Sequence, residues 1–195
     1  PEERKRLVDA YMAEFFAVFG CFPTSIGSWV LDEVTVVYAR QRYGVCAACI
    51  CRDQMGVDGF TLWGGWPNGV YLPSRHNVFI PASTEENRLD IPVFRLLGPD
   101  PIYNFEADVR NGLQGVYTME PSWLVGRNPA FLRDYFSNLT GEKGFGIRYT
   151  QVGQENNFLW ENIRPGLAPQ LEMVAALAAK GTIRLETIAA TGRWF

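Results

Sequence analysis

At 195 residues the chain suits one domain, and folding such a length buries about 70% of the extended chain's surface, enough for a core without disulfide or metal staples. Hydrophobic residues at 47% and charged residues at 20% exclude intrinsic disorder. With 18 Lys and Arg against 21 Asp and Glu, the only basic run is Arg4-Lys5-Arg6, and no apolar run nears the ~20 residues of a membrane span; neither nucleic acid nor a membrane span is expected.

The chain opens on Pro1 and carries no signal-peptide pattern, so it is expected to be a processed or trimmed piece of a longer protein, of unassigned compartment. Val8, Tyr11, Met12, Phe15, Phe16 and Phe19 recur at helical spacing, with acidic residues before them and Gly20 after. Thr24 to Leu31 is short and β-like. Asp32 then opens a second helical pattern that ends at Tyr43-Gly44. Val45 to Cys51 is a continuous apolar run of the kind buried on both faces of a parallel sheet. Helix, strand, helix, strand is the alternation of an α/β layer or barrel.

From Arg52 to about Pro92 no period is sustained, and aromatic residues lie among Gly and Pro: Trp63-Gly64-Gly65-Trp66-Pro67-Asn68-Gly69, then Tyr71-Leu72-Pro73. Connections usually run ~4–6 residues, so this stretch reads as a long functional loop. Asn128-Pro129 signals a helix start, and Phe131, Leu132, Tyr135, Phe136 and Leu139 form one face closed by Gly141. Ile147 to Val152 reads as a strand, Pro169 to Lys180 as an Ala-rich helix and Thr182 to Ile188 as a final strand. The expectation is a single domain over 1–195 with parallel strands near 24–31, 45–51, 147–152 and 182–188 and helices packed outside them.

In such folds the loops at the carboxyl ends of the strands form the active face. There the chain offers Asp32 after the first strand, Arg52 and Asp53 after the second, and Glu155 and Asn156 after Ile147–Val152. Two carboxylates are what glycosidic bond cleavage needs, one as acid to the leaving oxygen and one as nucleophile or base. Each also has a plainer role: Asp32 as a helix N-cap, Asp53 as a turn residue or the salt-bridge partner of Arg52. Glu155 is less easily explained, because the next expected helix begins more than ten residues later. Glu186 lies inside the last expected strand and ranks below these. Trp63, Trp66 and Tyr71, interleaved with Asp58 and Asn68, combine flat apolar faces for sugar C–H groups with polar tips for hydroxyls; alternatively, the two Trp seal a barrel mouth.

Cys46, Cys49 and Cys51 resemble a metal or redox signature, but strand alternation turns Cys46 away from the other two, so no zinc site and no other cofactor are expected. His76 is the only histidine. No nucleophile elbow, dinucleotide fingerprint or phosphate loop is present.

Several segments together resemble one bacterial family: Ile26-Gly27-Ser28-Trp29, Cys51-Arg52-Asp53-Gln54, Asp58-Gly59-Phe60-Thr61-Leu62-Trp63-Gly64-Gly65, Pro92-Val93-Phe94-Arg95-Leu96-Leu97-Gly98, Asp100-Pro101-Ile102-Tyr103 and Gln154-Glu155-Asn156. The family comprises domains of unknown function described as glycoside hydrolase or deacetylase-like proteins. The resemblance runs from about residue 11 to 165, and its most specific part is the block Asp58 to Gly65. It implies an incomplete or irregular (β/α) barrel, similar in shape to polysaccharide deacetylases and seven-stranded glycosidase barrels. Metal-dependent deacetylases hold their ion with an Asp and two His spaced H-x-x-x-H, which a chain with His76 alone does not supply. Three readings follow. The first is a carbohydrate-active hydrolase with Glu155 as nucleophile or base and Asp53 or Asp32 as acid, acting on an oligo- or polysaccharide. The second is a glycan-binding module using the same aromatic cleft. The third is a metal-dependent deacetylase completed by residues outside this chain.

Overall fold

The computed structural model describes residues 1–28, 31–50, 70–95, 121, 127–141, 148–150, 152 and 159–195. Helix α1 (Glu2–Phe19) leads to strand β1 (Ser25–Ser28), helix α2 (Glu33–Tyr43) and strand β2 (Ala47–Ile50). The helix–strand–helix–strand order read from the sequence is the order found. Local signals set its limits. Asp32 caps α2 by accepting from the Thr35 amide at 2.8 Å, and Gly44 ends it at φ 72°, a left-handed value that a side chain would strain. Gly20 ends α1 in the same way at φ 70°.

After β2 come the short strands β3 (Val70–Tyr71), β4 (Pro73–Ser74), β5 (Asn77–Pro81) and β6 (Val93–Arg95). A stretch expected to be loop to about Pro92 thus folds from Val70 onward into strands. Their two to five residues are too short, and too often interrupted by Pro, to show a period of two. The main sheet runs β1-β2-β6-β3, with β1, β2 and β6 parallel and β3 antiparallel at the edge. Strands β4 and β5 form a separate antiparallel pair.

Alternation along β2 divides the core in two. Ala48 and Ile50 face a larger cluster with Met12 of α1, Val36 and Ala39 of α2, Val93 of β6, and Tyr71, Val78 and Ile91. Ala47 and Cys49 face the other way with Phe94, against Val70, Tyr149 and Ile188. Burial of β2 on both faces explains its unbroken apolar sequence.

The C-terminal part departs from expectation. Helix α3 (Pro129–Thr140) starts where Asn128-Pro129 signals, with the Asn128 side chain accepting from the amides of Ala130 and Phe131, each at 3.1 Å. Helix α4 (Trp160–Ala179), however, begins nine residues before the expected Pro169. Pro165 and Pro169 lie inside it; each removes one amide donor without stopping the helix. Gly166, Gln170 and Val174, four residues apart, form its buried face. Gly166 is required there: a Cβ would lie 2.5 Å from the carbonyl oxygen of Pro121.

Two expected strands are not formed among the described residues. Arg148–Thr150 has no regular structure; Arg148 instead donates to the carbonyls of Leu139 and Gly141, closing the end of α3. Thr182–Thr187 is likewise irregular, and Ile188 starts helix α5 (Ile188–Trp194), capped by the Thr187 hydroxyl accepting from Ala190 N–H. Both runs alternate apolar and polar residues as a strand does, but their described residues pair with no strand. Helix α5 packs closely on β2, since a Cβ at Gly192 would lie 2.7 Å from that of Ala47. The described fold is mixed α/β.

Candidate functional site at the carboxyl edge of the sheet

The three parallel strands end side by side. Ser28 pairs with Ile50 and Ile50 with Arg95, so β1, β2 and β6 reach their carboxyl ends in register along one edge. Ligands of α/β proteins bind outside this edge because loops leaving neighbouring strands diverge there and leave a crevice.

Of the expected site residues, Asp53, Arg52, Asp58, Trp63, Trp66, Asn68, Glu155 and Asn156 lie outside the described residues. Arg52 and Asp53 follow Ile50, the last residue of the central strand, by two and three positions. Asp32 and Tyr71 are described, and both are committed elsewhere. The Asp32 Oδ1 caps α2, and its Oδ2 pairs with Arg4 at 2.5 Å, so both oxygens are engaged. Tyr71 is buried in the core, and its hydroxyl donates to the Val78 carbonyl at 2.8 Å, so its ring offers no face to a sugar. Glu186, expected inside a strand, lies in an irregular segment paired with Arg184 at 2.8 Å.

His76 is exposed at the turn between β4 and β5. Cys49 is buried on the Phe94 face. The Cys46 thiol lies between the carbonyls of Thr24 at 3.2 Å and Ala189 at 3.6 Å, with the Arg193 guanidinium 3.5 Å away. Among the described residues no three His, Cys, Asp or Glu side chains gather as metal ligands, and Cys51 lies outside them.

Sequence reasoning missed Tyr149. It packs edge-on against Phe94 of β6, with ring centroids 5.1 Å apart and planes at 73°. Burial, then the neighbouring Cys49 thiol, push its phenol well above the ordinary tyrosine range. Phe94 and Cys49 are register partners across β6 and β2, so Tyr149 bridges the two central strands. The strand expected over 147–152 masked this role. Glu155 follows Tyr149 by six positions, and α4 starts five positions after Glu155, not more than ten.

No family model, no curated protein and no solved structure matches this chain. Among the described residues no helix is long and apolar enough to cross a membrane.

Proposed function

We propose that the chain is the catalytic part of a carbohydrate-active hydrolase, a glycoside hydrolase of an incomplete (β/α)-barrel type, with Asp53 and Glu155 as its carboxylate pair. One observation carries the reading. The segment bearing Asp53 leaves the carboxyl end of β2, while the segment bearing Glu155 starts from a tyrosine seated on β2 and β6. Asp32 drops out as the acid, because capping and its ion pair engage both oxygens. The platform then rests on Trp63 and Trp66, with Arg52, Asp58, Asn68 and Asn156 supplying hydrogen bonds to hydroxyls.

In this mechanism one carboxylic acid protonates the glycosidic oxygen while the other carboxylate attacks the anomeric carbon or deprotonates a water. A separation of about 5–5.5 Å gives retention, and one of about 6.5–9.5 Å gives inversion. The test is turnover on a panel of oligo- and polysaccharides beside calorimetric binding. Glu155→Gln keeps size and hydrogen bonding but removes the charge, so it lowers turnover by about a thousandfold or more while binding persists. Trp63→Ala weakens binding more than it slows cleavage. Full activity in Glu155→Gln rejects the assignment. Binding without cleavage by the parent chain supports a glycan-binding module instead, and deacetylation without bond cleavage supports a deacetylase.

A further inference from the structure

A cleft of about 250 Å³ lies at the other end of the sheet, with Arg40, Arg75 and Arg88 in its lining. Strands β2 and β6 run parallel from Ala47 and Val93, and α2 ends at Tyr43. The last turn of α2 therefore meets the residues just before β6 at the amino edge, opposite the proposed catalytic edge. Leu89 and Ile91, both buried in the core, form the apolar base of the cleft.

Local structure brings the three arginines together from distant parts of the chain. On α2, Val37 and Arg40 are one turn apart and share the side that lines the cleft, whereas Tyr38 and Arg42 turn toward Asp9 of α1. Arg75 sits in the tight turn between β4 and β5. Its amide donates to the Asn87 carbonyl at 2.7 Å and its guanidinium to the Arg88 carbonyl at 3.3 Å. Ser74 bridges Arg88 in antiparallel fashion, so Arg75 and Arg88 are held side by side.

Charge in the cleft does not balance. Arg88 is met by two carboxylates, Asp90 at 3.1 Å on Nε and Glu85 at 3.5 Å on Nη1. Among the described residues no carboxylate pairs with Arg40 or Arg75, and the exposed Arg40 side chain makes no hydrogen bond. In its plainer role Arg40 offsets the dipole at the end of α2, which leaves its donors open. Two uncompensated guanidiniums thus stand over an apolar base in a chain of net charge −3. A phosphomonoester carries about −1.5 to −2 at pH 7 and three acceptor oxygens, which matches two planar forks arriving from different elements. A carboxylate offers half that charge. The cleft is smaller than the ~300 Å³ at which sites for drug-sized ligands begin, so its ligand is small. We propose that it binds the phosphate group of a small phosphomonoester, with Arg40 and Arg75 on the phosphate oxygens and the organic body over Leu89 and Ile91.

Calorimetric titration of the full chain with phenyl phosphate, inorganic phosphate and acetate tests this, at fixed ionic strength because exposed charges are screened. Phenyl phosphate should bind about 10-fold tighter than inorganic phosphate, since its ring covers the apolar base. Acetate should bind at least ~10-fold more weakly than either. Arg40→Gln and Arg75→Gln should each weaken phenyl phosphate ~10-fold or more, and Arg40→Gln should leave the unfolding curve unchanged. Arg75→Lys keeps the charge but loses the fork, so it should still weaken binding ~3-fold or more. Arg42→Gln removes the same charge from the other side of α2 and should change affinity less than ~2-fold. Absence of phosphate binding at millimolar concentration overturns the proposal. So does an Arg42→Gln loss as large as that of Arg40→Gln, which would mark diffuse attraction rather than a site. Equal affinity for phenyl phosphate and inorganic phosphate overturns the placing of the organic body and leaves free phosphate as the ligand.

Discussion

Two seven-residue runs that both read as strands in the sequence meet opposite fates in this molecule. Val45–Cys51 supplies the central strand, whereas Thr182–Ile188 stays irregular until it turns into α5. Composition separates them in part, since the second carries Arg184 and Glu186 where the first is wholly apolar, and neighbours complete the difference. Strand β2 has β1 on one side and β6 on the other, and every one of its four residues is buried. Leu185, inside the second run, is 65% exposed. An apolar run becomes a strand when an edge is free to receive it and both faces can be covered, conditions set by distant parts of the chain.

The sharpest way to break this contrast is to truncate one side chain from each run. Ile50→Ala removes a fully buried side chain from the larger core and should cost about 3 kcal/mol in urea unfolding. Leu185→Ala should change stability by less than about 0.5 kcal/mol. Equal effects would show that Thr182–Thr187 is buried in solution.

A smaller loss is expected where the second run's helix meets the first run's strand. Gly192→Ala places a Cβ 2.7 Å from that of Ala47 and 3.1 Å from Cγ of Pro92, forcing α5 outward at a cost of about 1–3 kcal/mol. Pairing it with Ala47→Gly should recover part of the loss, since the closest clash is then removed. No recovery would mean that α5 does not dock on β2.

The smallest effect is one of pH. Tyr149 has its folded-state pKa raised by burial and by Cys49, so its contribution is fully present below the unfolded tyrosine value of about 10 and is lost as pH rises beyond it. Tyr38 and Tyr43 are raised as well, Tyr38 chiefly by burial and Tyr43 chiefly by its hydrogen bond to Asp9, and add to the same alkaline arm. Asp9 acts at the other end. The Tyr43 hydrogen bond, foremost among its contacts, lowers its pKa, so its contribution is present above the ordinary aspartate range and fades as pH falls through the folded value. Tyr149→Phe should flatten the alkaline arm of stability against pH and leave the acid arm alone. An unchanged alkaline arm would place that phenol in water.

What the sequence disclosed follows the same logic. The first fifty residues were legible because their signals are local: Asp32 as cap, Gly20 and Gly44 as stops, and apolar periods long enough to read. Strands β3 to β6 were not, since Val70–Tyr71 and Val93–Arg95 are defined by pairing with each other and with β2 rather than by a pattern of their own. Helix α4 was half legible, because Pro165 and Pro169 imitate a boundary that the packing of Gly166 on Pro121 overrides. At the site, the capping role of Asp32 could be read from its place before a helical pattern, whereas the burial of Tyr71 could not. Tyr149 was hidden because its partners, Phe94 and Cys49, are remote in sequence.

The central claim is that Asp53 and Glu155 act on one bond over the carboxyl edge of the sheet. Turnover of Asp53→Asn, Glu155→Gln and the double variant on one cleaved glycan tests it directly. Groups that act as a unit are strongly non-additive: each single change should lower kcat about a thousandfold or more, and the double variant should fall little below the worse single one. Losses that multiply, or a single variant that keeps full activity, would contradict a shared site.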